Sequence, residues 1–338
     1  MRKLNVGVIG AGRIGRVHAE NLAYHVRGAT VVAVADVIEE AARKLAADLQ
    51  IPAVYNDPAP IFADKSIDAV VICSSTDTHA RFMEDAAAAG KHIFCEKPIA
   101  LDLAKIDKAL AAVEKAGVKP QIGFNRRFDP SFRRLREMVA NGEIGTPHIL
   151  HITSRDPAPP PINYVRVSGG IFLDMTIHDF DMARFMIGDE VDEIYVAGGV
   201  MVDEKIGEAG DIDTAVITLR FRNGAIGIID NSRKAVYGYD QTVEVFGSAG
   251  LAHAANKTPD TVVRCDCTGV HTALPLYFFV ERYAEAYVAE MQDFVNAVLN
   301  DTKPPVTGID GRVPVVMGYA AKKSYEEHRP VKLSEITA

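Results

Sequence analysis

The sequence predicts an α/β protein: a doubly wound parallel sheet followed by an α+β domain with a large open, mostly antiparallel sheet. Three observations carry this. Nearly continuous apolar runs alternate with amphipathic helical stretches through about the first 125 residues, the pattern of parallel strands covered on both faces. A glycine-rich turn joins the first run to the first helix. From about Phe124 onward, strand signals follow one another with few helices between them, as in antiparallel sheets.

In chain order, Leu4 to Ile9 is the first strand and Ile14 to Val26 the first helix. TVVAVA (30–35), AVVICS (69–74) and HIFC (92–95) are further strands, with helices over Glu39–Leu49, Thr78–Ala89 and Leu101–Ala116. A polar helix (Asp129–Ala140) then leads to a strand at His148–Ser154, the loop DPAPPP at 156–161 and one helix over Asp174–Ile187. Strands are expected at Glu193–Val202, Thr214–Phe221, Ala225–Arg233, Thr242–Gly247 and Thr261–Cys267, with Asn223-Gly224 a hairpin turn. Val280–Leu299 and Gly311–Glu327 read as terminal helices. The expected domains are 1–124, 125–300 and a C-terminal segment 301–338 that packs back on the first.

Composition narrows the function classes. Of 338 residues, 48% are apolar and 24% charged, with a net charge of −8, values of a globular chain with ample core. An acidic balance argues against nucleic acid, which draws on clustered Lys and Arg. No secretory leader and no membrane span are expected. Cys73, Cys95, Cys265 and Cys267 lack a framework spacing and read as reduced, buried thiols of a cytoplasmic protein. No metal site is assigned.

Gly10-Ala11-Gly12-Arg13-Ile14-Gly15 matches G-x-G-x-x-G directly after a strand and at the start of a helix, the context that makes this Rossmann-type fingerprint meaningful. Gly10 suits the tight turn, Gly12 lets a pyrophosphate approach, and Gly15 lets the helix pack on the strand. Arg13 reads equally as a phosphate neighbour or an exposed first-turn arginine. Asp36 ends the second strand, 21 positions beyond Gly15, where a carboxylate accepts from ribose hydroxyls and repels a 2′-phosphate. Val37 and Ile38 offer no cation, so NAD is preferred over NADP. Ser74, Thr76 and His79 follow another strand end and could serve the cofactor or cap a helix. The expected cofactor set is Gly10, Gly12, Arg13, Ile14, Gly15, Asp36, Val37, Ser74, Thr76, His79, Glu96, Lys97 and Gln121.

Glu96-Lys97-Pro98 follows HIFC without a gap. The proline disfavours helix at Lys97 and leaves an ammonium at the strand terminus, although a Glu-Lys pair on a surface turn fits the spacing equally. On a continuous helix Asp174, His178 and Asp181 share one face. That stripe is either a solvated face or a site. Neutral histidine is a good base for alcohol oxidation, and an ammonium and a helix N-terminus beside it both disfavour imidazolium.

GAGRIG, Glu96-Lys97-Pro98 and GGIFLDMTIHDFDMARF (169–185) resemble the glucose-fructose oxidoreductase and inositol dehydrogenase family, and the likeness runs through nearly the whole chain. SRKAVYGYDQ (232–241) with EVFGS (244–248) is most similar to the inositol 2-dehydrogenases within it. The resemblance implies Lys97 as catalytic lysine, His178 as proton acceptor and Asp174 as supporting aspartate. Arg127, Asp156, Asp181 and Tyr237 are secondary candidates for hydroxyl contacts. It further implies an NAD-dependent oxidoreductase that converts myo-inositol to its 2-keto product, working as a homotetramer through the open sheet. The alternatives are a dehydrogenase for scyllo-inositol or an aldopyranose and, in another class, a non-catalytic dinucleotide-binding sensor or regulator.

Overall fold

A computed structural model describes residues 2–337. Two compact units are built from interleaved stretches of chain. The first comprises residues through Phe128 together with Glu285–Val315, and the second Asp129–Ala284 with 316–337. The sequence-based limits of 124 and 300 differ from these mainly in the later segment, because the return to the first unit begins at 285.

In the first unit β1 (Leu4–Ile9), α1 (Arg13–Tyr24), β2 (Ala29–Ala35), α2 (Glu39–Leu49), β3 (Ala53–Tyr55) and α3 (Ala59–Ala63) come first. They are followed by β4 (Ala69–Ile72), α4 (Thr76–Ala88), β5 (His92–Glu96), α5 (Leu103–Ala116) and β6 (Pro120–Gly123). The six strands are ordered β3-β2-β1-β4-β5-β6, and every pairing is parallel. This is the doubly wound Rossmann order, whose ligand crevice lies beyond the strand carboxyl ends at the β1/β4 switch point. Apolar runs such as Ala69–Ile72 are wholly buried, as two-sided coverage requires. Met291, Phe294 and Val295 join the core formed by Val6, Val8, Val34 and Val71; hence residues 285–315 belong to this unit.

The second unit holds α6 (Pro130–Ala140), β7 (Pro147–Arg155), α7 (Ile162–Ser168), α8 (Gly170–Asp174), α9 (Ile177–Ile187), β8 (Val191–Gly199), α10 (Glu204–Glu208) and β9 (Thr214–Phe221). Next come β10 (Ile226–Ser232), β11 (Asp240–Gly247), β12 (Gly250–Ala254), the hairpin β13 (Val263–Asp266) and β14 (Gly269–Thr272), and α11 (Phe279–Arg282). The later helices are α12 (Ala284–Leu299) and α13 (Gly308–Glu327), before β15 (Val331–Lys332). Its seven-stranded sheet runs β12-β11-β7-β10-β9-β8-β15, antiparallel except for the β7/β10 pair.

Strand alternation sends Ile217, Leu219, Ile229, Val243 and Val245 to a buried face. The opposite face is open. There Leu251, Phe246, Ile149 and Ile226 stand side by side across β12, β11, β7 and β10 in direct register, each 42–51% exposed.

Two sequence expectations are corrected. The single helix over 174–187 is two, α8 and α9, interrupted at Met175 and Thr176, where Asp179 N–H and His178 N–H bond three residues back rather than four. The thiols divide: Cys73 and Cys95 are buried, whereas Cys265 and Cys267 are exposed on the β13–β14 hairpin, which no periodicity in C-D-C distinguishes from a core strand. Among the described residues, no helix is long and apolar enough to cross a membrane.

Candidate active site

The first unit meets the steric demands of a dinucleotide at each glycine. Gly10 has φ +103°, and a Cβ there would stand 2.5 Å from the Cys73 carbonyl oxygen, so only glycine fits. A Cβ on Gly15 would fall 1.9 Å from the Gly10 carbonyl oxygen, which is the close approach of α1 to β1. A Cβ on Gly12 would meet nothing within 4 Å. The backbone there faces open space, at a helix start that no side chain caps. That is what a pyrophosphate needs.

Asp36 is held by two backbone donors: Ala11 N–H to Oδ2 at 2.6 Å and Ile38 N–H to Oδ1 at 2.8 Å. Its carboxylate is thereby fixed beside the glycine turn, and Val37 and Ile38 next to it are exposed apolar surface available to an adenosine. These residues fit NAD, from whose ribose hydroxyls Asp36 would be placed to accept.

The other expected cofactor residues have varied placements. Arg13 is exposed in the first turn of α1 and Ile14 is half-buried. Ser74 Oγ pairs with Thr78 Oγ1 at 2.6 Å, and Thr76 opens α4. The His79 ring bonds two backbone carbonyls and is 2% exposed. Glu96 turns its carboxylate inward, to 2.7 Å from Nε2 of the fully buried His18, and has Gly123 against its other side. Gln121 is a correction: it is fully buried, its amide donating to the Glu290 carbonyl at 2.8 Å. Lying on a strand buried on both faces, it has no surface to offer a ligand.

Lys97 is the first residue beyond β5 and is half-buried. Arg127 lies in the same unit, paired with Asp310 at 3.0 Å.

In the second unit a carboxylate cluster surrounds one guanidinium. Arg233, 2% exposed, stands 3.2 Å from Asp174, 3.7 Å from Asp156 and 4.0 Å from Asp211. Tyr164 donates its hydroxyl to Asp174 at 2.8 Å. Burial first, and then the Asp174 charge, push the Tyr164 phenol far above its ordinary value, so it remains a donor. Burial likewise raises Asp211, against the pull of its bond from Ile171 N–H. Removing the guanidinium would leave its carboxylates without a compensating charge, a cost of about 3–5 kcal/mol. Gly170 (φ +77°) is obligatory here, because a Cβ would approach Asp211 Oδ1 to 2.7 Å.

His178 occupies the first turn of α9. The helix start is fixed by its neighbours: Thr176 Oγ1 donates to Asn231 Oδ1 at 2.6 Å, and Asn231 Nδ2 donates to Asp179 at 2.9 Å. Asp181 lies in α9 three residues beyond His178 and is 1% exposed. Tyr237 donates to Asp240 at 2.5 Å and accepts from Arg155 at 2.8 Å. Burial and the Asp240 carboxylate raise its phenol.

Sequence reasoning missed Tyr164, Asp211, Arg233 and Asn231. Only Gly169-Gly170, a pair with positive φ at both residues, could have signalled a tight approach. The partners come from remote strands.

Comparison with known proteins supplies what geometry does not. Residues 4–124 match the model of an oxidoreductase family with an NAD-binding Rossmann fold, and residues 132–253 match the GFO/IDH/MocA C-terminal domain. A myo-inositol 2-dehydrogenase of Thermotoga maritima is 53% identical over 98% of this chain and 99% of its own. An inositol 2-dehydrogenase of Rhizobium meliloti is 44% identical, over 97% and 98%. The crystal structure of a Lactobacillus casei scyllo-inositol dehydrogenase with NAD(H) and scyllo-inositol bound superposes with a TM-score of 0.92. It shares 30% identity and covers 98% of this chain and 100% of that one.

Proposed function

Since the chain belongs to the GFO/IDH/MocA oxidoreductase family and is an NAD-dependent oxidoreductase, we propose that it oxidises myo-inositol at C2 to the 2-keto product. The observation that carries the substrate is the whole-length identity to an enzyme named for that reaction. The catalytic roles are assigned to Lys97, in the first unit, and to Asp174 and His178, in the second.

The chemistry asked of these side chains is limited. His178 takes the proton of the reacting hydroxyl, a task for a base of near-neutral pKa. The Lys97 ammonium is the donor that stabilises negative charge as an O–H bond weakens. Asp174 accepts from a neighbouring ring hydroxyl, and Tyr164 and Arg233 fix its two oxygens so that it need not reorganise. Arg127, Asp156 and Tyr237 are further hydroxyl contacts. Bound NAD supplies the acceptor for the hydride.

Initial rates of NADH formation across inositol isomers, glucose and other hexoses, with NAD and NADP, test the reading. Myo-inositol with NAD should give the highest kcat/KM. A higher value with scyllo-inositol would transfer the assignment to that isomer, which the Lactobacillus casei likeness supports.

The open sheet face serves self-association into a homotetramer. Its row Leu251–Phe246–Ile149–Ile226 is flanked by His253–Glu244–His151, also in register. A two-fold partner presenting the same face would therefore pack apolar row on apolar row and set carboxylate near imidazole. Phe246→Glu with Ile226→Glu is expected to lower the sedimenting species to dimers or monomers. An unchanged tetramer would exclude this face. The four unpaired thiols accord with a reducing, cytoplasmic setting.

A further inference from the structure

His79 lies in α4 and is 2% exposed. Its Nδ1 stands 2.9 Å from the Pro98 carbonyl oxygen and its Nε2 2.9 Å from the Ser74 carbonyl oxygen. A carbonyl oxygen only accepts. Each contact therefore needs an N–H, and a neutral imidazole has one. A neutral ring would set a bare nitrogen lone pair against a carbonyl lone pair at hydrogen-bond distance. Turning the ring over puts C–H at both places and loses both bonds.

We propose that His79 is held as an imidazolium, a buried cation that joins the chain ends beyond β4 and β5, and that it is a positioning residue for Lys97. The second half rests on the dehydrogenase reading; the first does not. Two charge-assisted bonds to fixed carbonyls offset the loss of hydration. The bridge is well placed. Ser74 adjoins Cys73, whose carbonyl lies against Gly10 of the glycine turn, and Pro98 is the residue after Lys97. On the preceding side, Glu96 is held by His18 at 2.7 Å. Both chain neighbours of Lys97 are thus anchored by buried histidines, and the ammonium projects from a backbone with little freedom. A misplacement of about 1 Å at a reacting group costs roughly 100-fold in rate, so releasing one anchor should be felt in kcat.

Nitrogen-15 NMR of the histidine-labelled full chain with NAD bound, at pH 8, decides the protonation state, well above the ordinary histidine pKa of about 6.5. The His79 signals are identified by their loss in His79→Gln or, if that variant does not fold, by ring-to-backbone correlation. Two protonated ring nitrogens are expected; one protonated and one bare nitrogen would overturn the imidazolium. In turnover, His79→Gln should lower kcat about 10–100-fold with NAD affinity kept within a few-fold. His79→Lys, a cation able to reach both carbonyls, should recover part of the loss. Unchanged kcat in His79→Gln would overturn the positioning role. If no cyclic polyol or hexose yields NADH, the dehydrogenase reading fails, while the NMR result still decides the charge of the ring.

Discussion

Lys97→Ala is expected to lower kcat for NADH formation about 10²–10⁴-fold while NAD binds nearly as before, the range seen when a positioned proton-handling or charge-stabilising group is removed. The expectation follows from which residues build the cofactor site. The glycine turn and Asp36, which fit the pyrophosphate and ribose, are built from β1, α1 and the end of β2 and do not involve Lys97. Glu96 and Pro98 carry the bonds to His18 and His79, and these remain in the variant. Loss confined to kcat identifies a group that acts in the transition state. Cofactor fluorescence titration and steady-state rates on the same preparation separate the two quantities. A sensor that only binds dinucleotide would keep its response in this variant.

His178→Ala should be as severe, about 10²–10⁴-fold in kcat/KM, and partly reversible by added imidazole. Thr176, Asp179 and Asn231 hold the start of α9, so the imidazole can be removed without loosening the helix that bears it. The cavity left by a half-buried ring is open to a small base. Rescue that rises with the concentration of free imidazole base would identify proton acceptance as the lost function, which a purely structural role would not show. His178→Asn, which keeps hydrogen bonding but not basicity, should not restore the rate.

The parts of this molecule that local chemistry dictates were legible from residue order. The glycine turn is one, since Gly10 and Gly15 exclude any Cβ, and the end of β2 with its carboxylate is another. Alternation also read Thr214–Phe221 correctly to its limits, because each second side chain enters the core. The interruption between α8 and α9 was not legible: Met175 and Thr176 keep helical backbone angles, and only a shift in hydrogen bonding separates the helices. Gln121 misled for a related reason. Polar type says nothing of direction, and its side chain points into the protein. Arg233 lies far along the chain from the aspartates it neutralises, so no short spacing announces the cluster. The α7 helix that supplies Tyr164 follows a run of prolines that reads only as loop.

The central claim, hydride removal from C2 of myo-inositol, is tested most directly with substrate deuterated at that carbon alone. Mass spectrometry of the reduced cofactor should find one deuterium per turnover, with slower turnover than for unlabelled substrate wherever the chemical step limits the rate. NADH carrying no deuterium would contradict the claim by placing the oxidation at another carbon, and absence of NADH altogether would contradict the substrate.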